Sequence, residues 1–176
     1  QGGMFVGGQA WATGRDALFD AGVLAGFERV HAWGRLGLAV DGGLRREVVS
    51  TTPQGSLRLD GGGGHVWVTL GKTFGHAGMG RLLVGPGLAV NDVGATPAGP
   101  LPLTARSRTD VDGSLGVLLR WDVPLYQRWG LFVAVGADVA FVTARYTVVA
   151  GNTSTPLLST WPVKPILRLG LVLGGR

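Results

Sequence analysis

The chain has 176 residues, about the size of one domain, and no stretch of it reads as a linker. It is 45% hydrophobic, carries 32 glycines and is only 15% charged, whereas ordinary soluble domains carry about a quarter charged residues. The formal charge of +5 is dispersed rather than gathered in patches, which argues against nucleic acid, and the absence of cysteine excludes a disulfide framework or a thiolate metal site.

A transmembrane helix needs roughly 18 or more consecutive apolar residues. The longest uncharged run, 146–163, is broken by Asn152, Thr153, Ser154, Pro156 and Pro162. An apolar chain without an apolar block must carry its hydrophobicity at alternating positions, which is a strand pattern. Gln1 is followed by neither a basic segment nor an apolar one, so the expectation is a mature form or an excised domain.

In chain order the alternation predicts eight strands. Strand 2–13 sets Met4, Val6, Ala10 and Ala12 against Phe5, Gln9 and Trp11. Strand 18–30 sets Phe19, Ala21, Val23, Ala25 and Phe27 against Asp20, Gly22, Gly26 and Glu28. Strand 33–48 opposes Leu36, Leu38 and Val40 to Arg35, Gly37 and Ala39. Strand 57–73 fits only if the glycine run 61–64 hosts a bulge that shifts parity. Leu57, Leu59, Val66, Val68 and Leu70 would then face out, with Arg58, Asp60, His65 and Trp67 inward. Strand 79–93 opposes Leu82, Val84, Leu88 and Val90 to Arg81, Gly85, Gly87, Ala89 and Asn91. Strand 107–123 puts Val111, Leu115, Val117, Leu119, Trp121 and Val123 on one face, with Asp110, Asp112, Ser114, Gly116, Arg120 and Asp122 on the other. Strand 129–149 is the clearest: Leu131, Val133, Val135, Ala137, Val139 and Phe141 against Phe132, Ala134, Gly136, Asp138, Ala140 and Val142. Strand 163–174 opposes Val163, Leu167, Leu169, Leu171 and Leu173 to Lys164, Arg168, Gly170 and Gly174.

The bulky apolar face is uniform and the small-residue face holds the charges. A soluble barrel does the reverse, so this polarity implies lipid outside. Each strand exceeds the roughly 9–11 residues that a tilted strand needs to cross the hydrocarbon. Connections near 30–33, 74–78 and 124–128 are compact. Those near 49–56, 94–106 and 150–162 are longer and rich in Gly, Pro, Ser and Thr; the short 14–17 connection breaks the trend. Trp33, Phe74, Trp121, Tyr126 and Trp129 collect at the short-turn rim, as an interfacial girdle would. The predicted fold is all-β: one domain over 1–176, an eight-stranded antiparallel up-and-down transmembrane β-barrel with both termini on the periplasmic side.

The stretches Leu119-Arg120-Trp121-Asp122-Val123-Pro124-Leu125, Leu131-Phe132-Val133-Ala134 and Pro165-Ile166-Leu167-Arg168-Leu169-Gly170-Leu171-Val172-Leu173 carry a resemblance over nearly the whole chain. The chain resembles the small eight-stranded outer-membrane barrels, especially those of myxobacterial type. The resemblance implies the fold and a bacterial outer-membrane location, and hardly any chemistry. Such barrels usually finish in an aromatic residue, whereas here the sequence reads Gly174-Gly175-Arg176. The expectation is a variant terminal signal or excision from a longer chain.

An eight-stranded barrel is filled by its own side chains, so no open pore is expected. Parity sends Asp20, Glu28, Asp60, Asp110, Asp112, Asp122 and Asp138 inward, with Arg35, Arg58, Arg81, Arg108, Arg120, Lys164 and Arg168. Buried charges must pair, so a lumen polar network is expected with Asp138, Arg168, Arg120, Asp122, Arg35, Glu28, Arg81 and Lys164 at its centre. Depth along the strands suggests that Asp138 pairs with Arg168, with Lys164 the runner-up. Leu36, Val84, Leu119, Val135 and Leu169 are expected to meet lipid. His31 and His76 fall in short turns, and inward His65 could meet Asp60 or a serine. Asp110 and Asp112 lack the spacing of a calcium loop, and the glycine run 61–64 lacks the Lys-Ser/Thr of a phosphate loop. No catalytic residue, metal or cofactor is expected. The partners implied are outer-membrane lipid and other envelope proteins. The favoured role is structural, adhesive or anchoring in the envelope; the alternative is a lipid-modifying barrel enzyme, a hydrolase or acyltransferase.

Overall fold

Alternation of apolar and small or polar residues along nearly the whole chain produces strands and, among the described residues, no helix. The computed structural model describes residues 2–12, 20–43, 46–52, 55–75, 79–98, 108–143, 145–150, 153–159 and 161–174. Its strands are β1 (Gly2–Trp11), β2 (Asp20–His31), β3 (Gly34–Gly43), β4 (Arg46–Thr52), β5 (Gly55–Phe74), β6 (Gly80–Pro97), β7 (Arg108–Tyr126), β8 (Trp129–Ala140), β9 (Arg145–Ala150), β10 (Thr153–Ser159) and β11 (Val163–Gly174).

Eight of these close an antiparallel barrel in the order β1, β2, β3, β5, β6, β7, β8, β11, with β11 returning to β1. Closure removes the unpaired edges that an open sheet would leave. Stepping between paired residues from Gly2 leads through Arg29, Leu36, Leu70, Val84, Val117, Ala137 and Pro165. The circuit returns to β1 at Ala12, whose amide donates to the Pro165 carbonyl. The barrel is therefore staggered by ten residues between Gly2 and Ala12, which tilts the strands by about 40° and leaves a lumen only side chains wide.

Outward positions form a continuous apolar belt. Leu36, Val84, Leu119, Val135 and Leu169 lie between 36% and 54% exposed. Inward, Leu24, Leu83, Leu118, Phe132, Ile166 and Trp67 are buried. Glycines make room for the largest of these. A Cβ at Gly116 would sit 1.9 Å from the Trp67 ring, so glycine on β7 lets the β5 indole lie flat across the neighbouring strands. Trp33, Phe74, Trp121, Tyr126 and Trp129 are all exposed at the short-turn end.

Three expectations require correction. The register of β5 against β6 runs unbroken through the glycine run, from Leu57–Pro97 to Trp67–Gly87 and on to Leu70–Val84. The irregularity falls instead between β3 and β4: Gly42 pairs with Gly64 and Arg46 with Gly61, so the β3–β4 side holds one residue more. Arg58 and Asp60 consequently share the outward parity of Val66 and Val68, and Arg58 is exposed. The side chains of Leu57 and Leu59 lie outside the described residues. The apolar-out rule fails at this end, where a strand of 20 residues is about twice as long as the 9–11 residues that a membrane-crossing strand needs.

Second, the predicted strand 129–149 breaks. β8 ends at Ala140, a bend follows at 141–142, and β9 and β10 form a separate hairpin. Ala150 pairs with Thr153 across Gly151-Asn152, a two-residue hairpin signal flanked by β-branched residues that the loop assignment of 150–162 overlooked. Third, Arg108 is not a lumen residue. Its side chain is 70% exposed at the start of β7 while its Nε bonds to Asp110.

Candidate functional site

The side chains with chemistry to offer point into the lumen, and they divide into two clusters. The cluster nearer the short turns is built on strands β2, β3, β6 and β7, each of which meets a short turn at this end. Glu28 on β2 and Arg35 on β3 lie either side of the first turn, while Arg81 opens β6 and Arg120 and Asp122 close β7. Glu28 Oε2 accepts from Arg81 NH1 at 2.5 Å, and Oε1 accepts from Arg120 NH1 at 2.7 Å. Arg35 NH1 stands 3.7 Å from Glu28 Oε2. Asp122 closes the network from the other side, accepting from Arg120 Nε at 2.8 Å and ion-paired with Arg81 NH2 at 2.5 Å. Phe5 and Phe132 cover the Arg120 guanidinium, with ring centroids 4.9 and 4.4 Å from its Cζ. Two carboxylates thus hold three guanidiniums, and aromatic faces help to hold one of them.

The second cluster gathers on Asp41 of β3. Its Oδ2 accepts from Trp67 Nε1 at 2.8 Å and from Arg168 NH2 at 3.4 Å, and His65 Nδ1 lies 3.1 Å from Oδ1. Arg168 Nε donates to Gln9 Oε1 at 3.0 Å, and its guanidinium sits 5.0 Å from the Trp67 ring centroid. Asp41 is 4% exposed and so depends on these donors rather than on water. His65 therefore meets Asp41, not Asp60 or a serine.

The pairing expected between Asp138 and Arg168 is replaced. Across the β8–β11 ladder Asp138 stands opposite Lys164, and Arg168 stands opposite Ala134. Four residues separate the two levels, about 13 Å of strand, so counting from the turns had put them wrongly at one depth. Asp138 still contributes an attractive field at Arg168, but the direct ion pair is with Asp41, and Asp138 Oδ1 is buried without a hydrogen-bond partner. Lys164 and Asp138 both border a cavity of about 10 Å3, shared with Gln9, Asp41, His65 and Arg168. That is room for about one water molecule.

Of the expected network, Glu28, Arg35, Arg81, Arg120 and Asp122 come together in one cluster. Arg168 falls in the other, with Asp138 and Lys164 along its cavity. Reasoning from the sequence missed Asp41 as the hub, although it shares the Arg35 parity two residues beyond Ala39. His31 stacks on Trp33 at 5.1 Å beside the first turn, and His76 lies outside the described residues. His65 Nε2 and Ser114 Oγ are each buried without a hydrogen-bond partner, so no serine–histidine couple forms between them.

No family model matches the chain, and no curated protein matches it. Solved structures do. A major outer membrane protein from Thermus thermophilus superposes with a TM-score of 0.60 at 16% identity, covering 98% of this chain and 99% of that one. Ail, the attachment invasion locus protein of Yersinia pestis, covers 98% and 97% at 13% identity with a TM-score of 0.48. Neisserial surface protein A covers 99% and 97% at the same identity and score. The chain has the fold of an eight-stranded outer-membrane β-barrel.

Proposed function

We propose that this chain acts as a single-domain, non-catalytic barrel of the bacterial outer membrane, with a structural, adhesive or anchoring role in the envelope. The observation that carries the reading is a lumen filled by its own ion pairs, where the cavity beside the Asp41 cluster has room for about one water. Neither a permeant solute nor a lipid substrate fits there. The charged lumen acts as a plug, and the outer belt meets lipid. The partners that follow are outer-membrane lipid and other envelope proteins, and the myxobacterial likeness belongs to this reading on its sequence pattern. Against the lipid-modifying alternative, His65 is bonded to Asp41 but has no nucleophile bonded to Nε2.

Reconstituted into planar bilayers, the barrel is expected to give no steady conductance, and in mixed micelles it should release no fatty acid from phospholipid. Sustained channel openings, or hydrolysis abolished by His65→Ala, would replace this reading. The belt has its own test. Val135→Arg places a guanidinium near the bilayer midplane and is expected to cost about 2–4 kcal/mol of folded-barrel stability. Urea unfolding in lipid vesicles measures it, and a neutral result would remove Val135 from the lipid face.

A further inference from the structure

A groove of about 610 Å3 lies at the short-turn rim, where β2, β1 and β11 run side by side. Its apolar wall is one cross-strand row: Phe27 pairs with Met4, and Met4 with Leu173, and all three are exposed. One step nearer the rim the wall drops away, because Gly2 pairs with Arg29 and Gly3 with Gly174. Side chains there would fill the space that the glycines leave open. Arg29 shares the outward parity of Phe27 and is exposed at one side of the groove. Arg128, in the turn between β7 and β8, stands at the other side, and its carbonyl is tied to Gly174 by an amide hydrogen bond of 2.9 Å.

Among the described residues, the exposed charge around this groove has one sign. Glu28 borders it, but its carboxylate is turned into the lumen and held by Arg81 and Arg120. Asp122, the other described carboxylate at this end, is held inside by the same two arginines. Two exposed arginines beside an apolar row, at the level of an aromatic girdle, match an amphiphile with an anionic head and an acyl tail. The volume suits a headgroup and the start of a chain. We propose that this groove is a phospholipid site, which holds the phosphate of an anionic lipid between Arg29 and Arg128 and lays an acyl chain along Phe27, Met4 and Leu173. The inference rests on the reading that the barrel spans a membrane.

Native mass spectrometry of the delipidated barrel in neutral micelles tests it, with dioleoyl phosphatidylglycerol, dioleoyl phosphatidylcholine and inorganic phosphate as probes. One phosphatidylglycerol per barrel is expected, held roughly tenfold more tightly than phosphatidylcholine. The double change Arg29→Gln with Arg128→Gln should bring it down to the phosphatidylcholine level. Lys72→Gln, exposed on the same rim but on β5, should leave it unchanged. Heat-dependent gel mobility monitors folding; if the double variant does not fold, Arg128→Gln alone in the turn should show a partial loss. Equal binding of the two lipids, equal loss in Lys72→Gln, no loss in a folded arginine variant, or displacement by phosphate at the lipid's own concentration overturns the site. A barrel that dissolves without detergent overturns the membrane reading instead.

Discussion

Glu28→Ala is expected to destabilise the barrel by about 3–5 kcal/mol, the cost of breaking a buried ion pair by removing one partner. Glu28 accepts from Arg81 at 2.5 Å and from Arg120 at 2.7 Å, and Arg35 stands 3.7 Å away. Without it, Asp122 is left as the one carboxylate of this cluster against three largely buried guanidiniums. Glu28→Gln keeps the volume and one acceptor oxygen, so its cost should be smaller while the charge imbalance persists. Combining Glu28→Ala with Arg120→Ala removes one stranded cation and should recover part of the loss, which a double-mutant cycle resolves. The measurement is urea unfolding in micelles followed by gel mobility. A loss below about 1 kcal/mol for Glu28→Ala would mean that water or lipid headgroups satisfy the arginines, and the plug would have to be redrawn as hydrated.

Asp41→Ala should cost a similar amount, about 3–5 kcal/mol, for a different reason. Here one carboxylate serves several donors: Trp67 Nε1, Arg168 NH2 and His65 Nδ1. Its removal strands a buried guanidinium and leaves a buried indole N–H unpaired. Asp138→Ala should cost distinctly less, because Asp138 acts on Arg168 only at longer range and one of its oxygens already lacks a hydrogen-bond partner. The two cycles, Asp41 with Arg168 and Asp138 with Arg168, separate the cases. The coupling energy should be large in the first and small in the second. The reverse order would return Arg168 to Asp138 and contradict the geometry of this cluster.

Which face of a strand meets the outside depends only on residues two apart, so it can be read locally. Val135 and Leu169 on one parity, with Asp138 and Arg168 on the other, already stated that the charged side is the inside. That inversion, with eight segments long enough to cross hydrocarbon, pointed to a barrel with its apolar face outward before any pairing was known. Glu28, Arg35, Arg81, Arg120 and Asp122 could likewise be assigned to the lumen, because each stands close to a short turn and strand parity there is unbroken.

Depth and partnership belong to the closed structure. Counting from the turns set Arg168 level with Asp138, but the ladder sets Lys164 there and carries Arg168 four residues further on. The stagger around the barrel then brings Asp41 of β3 within reach of Arg168 of β11, residues 127 apart in sequence. The irregularity between β3 and β4 was equally hidden, since only the two registers against β5 reveal the extra residue. Alternation repeats every two residues and says nothing about how far one strand has slid along the next. That displacement is set jointly by all eight hydrogen-bonded ladders when the sheet closes on itself, and no single segment contains it.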